Sequence, residues 1–311
     1  MLLLTGGTGF IGRKLLIHLE SMGLELRSLI RPSQRTPNLR RGVTHHAVLC
    51  SLMDLRGLRA AMLGVETVIH LASNERLGLR RYLPEVEIEG TRNLLQAARE
   101  AGIRRFIFIS HIGANLTSAY PVLRTKAIEE ENIRKSGVPY TILRPSLLYG
   151  TGDHFTTSIA KMLALAPLIF PLPGDGNTLI QPLWIKDFTT AISWTLDDHG
   201  TLGQSYDIGG PEFLTFRQVV ELVMGVVNLR RVMVDFRPPY LRAGAWLMER
   251  ILKEPPITTI WLDYLAVNRT TDLASMPRVF GLQPVRMESS LDYLKDRSWL
   301  REFFSDQSRS G

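Results

Sequence analysis

The first twelve residues constrain this chain more than any other stretch. Met1-Leu-Leu-Leu-Thr5 is an apolar run, Gly6, Gly9 and Gly12 follow three apart, and Arg13 to Met22 is amphipathic through Leu15, Leu16 and Leu19. Physically this reads as strand, tight turn, helix. One glycine makes the turn, the next lets backbone approach a diphosphate, and the third lets helix pack on strand, with helix N–H groups aimed at the anion. Gly6, Thr8, Gly9, Phe10, Ile11 and Gly12 are therefore the candidate dinucleotide contacts of this turn. The competing reading is a glycine-rich turn that holds no ligand.

Apolar strands then alternate with amphipathic helices. Strand-like runs occupy 24–30, 43–49, 67–72, 106–110 and 140–143. Helical patterns occupy 55–63, 85–101 and 127–135, and this alternation predicts an α/β fold of Rossmann type, a parallel sheet wound on both faces. Ligands of such sheets sit at the strands' C-terminal ends, where Arg31, Leu71, Ala72, Ser110 and Arg144 fall. Beyond Pro145 the pattern weakens: 146–180 is rich in Gly, Pro and Thr, a helix starts near Trp184, and Ser205 to Gly210 reads as a last strand and turn. The expected division is a nucleotide-binding domain over 1–145, with 180–210 returning to it. A smaller, mainly helical region for substrate or interaction takes 146–179 and 211–311.

A content of 45% hydrophobic and 22% charged residues is that of an ordinary folded chain. The single cysteine, Cys50, rules out an intramolecular disulfide and is compatible with a reducing compartment. With a core strand expected from Met1 onward, no leader peptide is expected, and no apolar run is long enough to span a bilayer. The expected location is cytoplasmic, with attachment at a membrane surface as the variant. Net charge is +7, which favours anionic partners, but the arginine pairs are dispersed and lack interleaved aromatics, so nucleic acid is not expected. The histidines, among them the pair His45-His46, stand at no metal-ligand spacing, and no metal site is expected.

Thr5 to Gly12, Val68-Ile-His-Leu-Ala72, Glu89-Gly-Thr-Arg-Asn93, Leu143-Arg-Pro145 and Ile208-Gly-Gly-Pro211 together resemble extended short-chain dehydrogenases/reductases. Gln181 to Asp187 and the proline-broken C-terminal region look most like the atypical branch related to the nucleotide-binding accessory subunit of respiratory complex I. The resemblance implies NAD(P) binding, with a redox or epimerase-type reaction where the chain is active. A nucleotide-binding scaffold or assembly factor for a membrane complex is the alternative.

In NAD-preferring members an acidic residue closes the second strand. Here no Asp or Glu occurs from Leu26 through Met53, whereas Arg27, Arg31, Arg35, Arg40 and Arg41 do. A guanidinium grips a 2′-phosphate that a carboxylate would repel, so NADP(H) is favoured over NAD(H), with Arg31 and Arg35 as contacts. A solvated basic loop is the other reading of these arginines. Where the family has Gly-Asp after the third strand, this chain has Cys50-Ser51, so Ser51 is assigned to the adenine side and Asp54 to a helix N-cap.

The resemblance also implies a Tyr-x-x-x-Lys motif with an upstream serine. Lys126 is the natural lysine, for the nicotinamide ribose and for catalysis, but four residues before it stands Val122. Tyr120 is six residues away and precedes Pro121, which biases it out of helical geometry. Ser110 matches the upstream serine, although a strand-end hydroxyl bonding to nearby groups explains it equally well. The catalytic candidates are Lys126, Ser110 and Tyr120. Tyr240 to Lys253 is amphipathic with Trp246 among its charges, a pattern that suits a membrane surface or protein partner, or an indole stacked on arginine stems. Trp261, Leu262 and Tyr264 form a second apolar cluster fit for an apolar small molecule.

Overall fold

The computed structural model describes residues 1–32, 46–75, 78 and 82–309. Arg35, Arg40 and Arg41 lie outside the described residues. The chain divides into two compact units: Met1–Ser73, Leu83–Pro145 and Ile185–Ile208 form the first, and Asn74–Tyr82, Ser146–Trp184 and Gly209–Gly311 the second.

In the first unit the strands are β1 (Leu2–Thr5), β2 (Leu26–Ile30), β3 (His46–Leu49), β4 (Thr67–His70), β5 (Arg105–Ile109) and β6 (Tyr140–Pro145). The helices are α1 (Phe10–Ser21), α2 (Leu55–Ala61), α3 (Pro84–Glu100) and α4 (Pro121–Lys135). After β7 (Leu148–Tyr149), α5 (Phe155–Leu165), β8 (Ile169–Pro173), β9 (Leu179–Ile180) and β10 (Leu183–Trp184), the chain adds α6 (Ile185–Asp197) and β11 (Gln204–Ile208) to this unit. The seven strands run in the order β11-β6-β5-β4-β1-β2-β3, and every pairing is parallel. Chain direction of travel reverses between β1 and β4, so the crevice for a ligand opens there.

Burial explains the strands. β5 is buried at all five residues, as expected of a strand covered by helices on both faces. Phe106 and Phe108 join Leu3, Val68, Leu94 and Ile142 in one core, each ring contributing about 1.5–3 kcal/mol. Helix α1 buries Leu15, Leu16 and Leu19 and meets α6 through His18 and Ser193 at 3.1 Å. α4 is longer than its sequence pattern, which starts at Ala127. Pro121 opens it, because proline suits the first helical position, and Tyr120 caps it in extended conformation.

The second unit continues with β12 (Leu214–Thr215), α7 (Phe216–Val227), β13 (Val232–Phe236), α8 (Pro238–Ile251), α9 (Thr259–Tyr264), α10 (Ser275–Phe280) and α11 (Trp299–Arg309). Helix α7 starts with a capping box formed by Thr215 and Gln218. Two elements depart from the mainly helical expectation. β13 pairs in parallel with β8 across five residue pairs; Pro171 and Pro173 are tolerated in β8 because it pairs on one side alone. α5 forms inside the Gly, Pro and Thr-rich stretch because the Asp153 carboxylate accepts from the N–H groups of Thr156 and Thr157. Trp261 is part of this unit's packing, stacked on Phe155 at 5.8 Å and edge-on to Phe216 at 5.6 Å.

Candidate functional site

The glycine turn joins β1 to α1 at the switch point of the sheet. Gly6 has φ of +75°, and a Cβ there would lie 2.8 Å from the backbone of Leu71 and Ala72. Only glycine fits, which brings the turn against the two residues that follow β4. Gly12 carries the close packing of α1: a Cβ on it would overlap the Gly6 carbonyl oxygen. Gly9 caps α1 with extended backbone and no side-chain hydrogen bond, so the helix's first N–H groups remain for an anion. Thr8 and Gly9 are exposed, Phe10 and Ile11 half-buried. These residues fit a dinucleotide diphosphate.

At the end of β2, Arg31 is exposed, while Arg27 reaches back to the carbonyls of Ala61 and Leu63 at 2.6 and 2.7 Å. Arg27 therefore ties β2 to the end of α2 and is committed to structure. Ser51 accepts from the N–H of Met53 at 3.2 Å, and Asp54 caps α2 through Gly57 N–H at 3.0 Å. Burial pushes the Cys50 thiol up, with the Asp54 charge adding to the shift.

Beneath the turn runs a chain of buried polar groups. Thr5 Oγ1 and His70 Nδ1 are 2.6 Å apart, His70 Nε2 and Thr91 Oγ1 are 3.0 Å apart, and Thr91 donates to Glu129 Oε1 at 2.6 Å. Lys126 Nζ donates to Glu129 Oε2 at 2.9 Å and lies 3.7 Å from Glu87, which accepts from Ser73 at 2.9 Å. Lys126 is 3% exposed and Glu129 wholly buried. Burial, with the Lys126 charge nearby, lowers His70 to about 3, so its ring is neutral.

One residue further along α4 a second cluster forms. Glu130 accepts from Ser110 at 2.6 Å, from Arg144 at 2.8 and 2.5 Å and from Arg134 at 2.7 Å. Burial pushes this carboxyl up, but the Arg144, Ser110 and Arg134 interactions outweigh it and the net shift is downward. Arg144 is raised by its bond to Glu130.

Of the three catalytic candidates, Lys126 is buried among carboxylates, Ser110 is wholly buried and donates to Glu130, and Tyr120 is half-buried at the N-cap of α4. Val122, at the family's tyrosine position, is buried. Thr5, Thr91, Glu129 and Glu130 were not singled out by sequence reasoning. The signal for Glu129 was present in its i,i+3 spacing from Lys126, which makes them neighbours on a helix.

A parallel sheet with this switch point, carrying a glycine turn against the end of β4, defines a dinucleotide-binding protein with the extended short-chain dehydrogenase/reductase fold. The chain belongs to the NAD(P)H-binding family, whose sequence profile matches residues 6–161. It is 30% identical over 232 residues to the Arabidopsis thaliana protein named NADH dehydrogenase (ubiquinone) 1 alpha subcomplex subunit 9, mitochondrial. That match takes in 72% of this chain and 57% of the plant protein, less than two thirds of its length. It is also 26% identical to the 2-alkyl-3-oxoalkanoate reductase of Stenotrophomonas maltophilia, over 96% of this chain and 99% of that protein. Among solved structures, the NADPH-dependent quinone oxidoreductase QOR2 of Escherichia coli, complexed with NADPH, superposes with a TM-score of 0.75 at 17% identity, covering 94% of this chain and 99% of that one. Among the described residues no helix is long and apolar enough to cross a membrane.

Proposed function

We propose that this chain is an NADP(H)-dependent reductase of an apolar carbonyl or quinone-like compound. The observation that carries the cofactor preference is the end of β2, where exposed Arg31 follows Ile30 and no carboxylate occurs from Leu26 through Met53. The reaction class is supported by the relatives, one named as a reductase of an oxoalkanoate and one solved as an NADPH-dependent quinone oxidoreductase.

Bound NADPH supplies hydride. The turn from Gly6 to Gly12 holds the diphosphate, with Thr8, Phe10 and Ile11 contributing N–H groups and contact, and Leu71 and Ala72 flank it. Arg31 takes the 2′-phosphate, and Ser51 borders the adenine. Lys126 meets the nicotinamide ribose. Tyr120 donates the proton to the reacting oxygen, a role left to it because Val122 has no proton to give and Ser110 is committed to Glu130. The test is titration with NADPH and with NADH, read by nucleotide fluorescence and by melting temperature. NADPH is expected to bind tighter, and Arg31→Glu to weaken NADPH about tenfold while sparing NADH, the loss of one charge-assisted contact. A protein that responds to neither nucleotide overturns the reading. Turnover that survives Tyr120→Phe removes Tyr120 as the acid.

A second reading, a nucleotide-binding scaffold at a membrane surface, is favoured by α8. This helix packs through Ala245 and Glu249, yet Tyr240, Leu247 and Ile251, at i, i+7 and i+11, stay exposed. Arg250 stacks on the Trp246 ring at 3.9 Å beside them. An exposed apolar stripe with a basic rim suits an anionic bilayer interface. Co-sedimentation with anionic vesicles that Leu247→Asp and Ile251→Asp abolish supports this reading, and co-sedimentation indifferent to both removes it.

A further inference from the structure

The hydrogen-bond chain under the glycine turn has one direction, and hydrogen counting fixes it. Glu129, facing the Lys126 ammonium, only accepts. The single hydroxyl proton of Thr91 goes to Glu129, so the Thr91 oxygen accepts from His70 Nε2–H. A neutral imidazole has one N–H, and with it on Nε2 the Nδ1 atom accepts from the Thr5 hydroxyl. The Thr5 oxygen in turn accepts from the main-chain N–H of Leu71 at 3.3 Å. The chain starts at an amide that cannot release its proton, so it does not conduct; it orients. Thr5, His70, Thr91 and Glu129 are each at most 1% exposed, where solvent cannot substitute for a missing partner.

The chain links four elements. Thr5 ends β1, immediately before Gly6, and lies opposite His70 in the β1–β4 register. Thr91 is on α3, and Glu129 and Lys126 are on α4. We infer that Thr5, His70, Thr91 and Glu129 are positioning residues for Lys126, tying the lysine of the nicotinamide half to the strand end that carries the diphosphate turn. This rests on the placing of Lys126 at the ribose proposed above.

The network then acts on one half of the dinucleotide, whereas a merely structural network acts on both halves alike. The experiment is calorimetric titration of wild type, Thr91→Val, Thr91→Ser and Glu129→Gln with NADPH and with adenosine bisphosphate, which is its adenine half. NADH against AMP is run in parallel, so the outcome does not depend on the 2′-phosphate. Thr91→Val is expected to weaken the whole dinucleotide about tenfold and the adenine half not at all, as loss of one charge-assisted bond does. Thr91→Ser restores binding. Glu129→Gln, which keeps the shape and removes the charge, gives the same split should the valine variant not fold. Nitrogen NMR of wild type reports His70 with a bare Nδ1 and a protonated Nε2, a pattern lost in Thr91→Val. Equal weakening of both ligands, or unchanged NADPH binding in Thr91→Val and Glu129→Gln, overturns the proposal. Wild type that binds both ligands equally overturns it together with the placing of Lys126. A protein that shows the split but never turns over keeps it, and overturns the reductase reading alone.

Discussion

Glu129 and Glu130 are adjacent on one helix and both buried, yet they belong to different clusters. Glu129 faces Lys126 and the Thr91–His70–Thr5 chain beneath the glycine turn. Glu130 gathers Arg144, Arg134 and Ser110, and Arg144 also reaches Asp207 on β11 at 3.3 Å. Adjacent helical side chains point about 100° apart, so a single residue step separates a carboxylate that pairs with Lys126 from one that clamps α4 to the edge of the sheet. The lesson concerns Ser110. By position it matches a catalytic serine, yet its hydroxyl belongs to the clamp.

The largest effect is expected at Glu130. Glu130→Ala leaves Arg144 partly buried without its bidentate partner, and about 3–5 kcal/mol of stability should disappear in chemical denaturation, the usual cost of breaking a buried pair from one side. If stability barely changes while nucleotide binding collapses, the division of labour between the two glutamates is wrong.

Acid should act on the chain beneath the glycine turn before it reaches the Glu130 cluster. His70 is held neutral in the fold with its value lowered to about 3 from 6.5, so the unfolded chain binds one more proton at any pH between those values. Its contribution is complete above pH 6.5 and is lost as pH falls toward 3, at about 1.4 kcal/mol per unit. Glu130, lowered from 4.5, loses its contribution only below that value. Comparing melting curves of wild type with those of His70→Gln across mildly acidic pH isolates the histidine, because His18, also lowered by burial, and Asp153 and Asp263, raised by burial, are common to both proteins. His70→Gln should flatten the slope there and leave the steeper loss at lower pH in place; an unchanged slope would sink the assignment of a neutral buried His70.

The smallest effect is expected at Ser110. Ser110→Ala removes one donor from a carboxylate that keeps two arginines, so stability should fall by about 1 kcal/mol. Any NADPH-dependent turnover should persist within a few fold. A loss of turnover with stability intact would return Ser110 to the catalytic set and blur the distinction between the two clusters.

Much of the first unit was legible in the chain because short-range patterns carried it. The glycine spacing, the alternation of apolar strands with amphipathic helices, and Asp54 as a helix cap each depend on neighbours within a turn or a strand. The second unit was less legible. β8 and β13 are separated by some sixty residues, and a parallel pair between strands that far apart leaves no local signature beyond two short apolar runs. α5 was hidden because its stabilising group, the Asp153 carboxylate that accepts from the N–H groups of Thr156 and Thr157, stands in a stretch whose composition reads as loop.

The glycine spacing and the alternation of strands and helices in the chain carried the dinucleotide-binding Rossmann sheet, because only glycine at Gly6 and Gly12 permits the close approaches that the turn makes. The sequence by itself also determined that the family's tyrosine position is occupied by Val122. The tertiary structure alone decided what surrounds Lys126. Thr5, His70, Thr91 and Glu129 come from four elements spread over more than a hundred residues, and their hydroxyls, ring and carboxylate acquire a direction only when burial removes the water that would otherwise satisfy each of them separately.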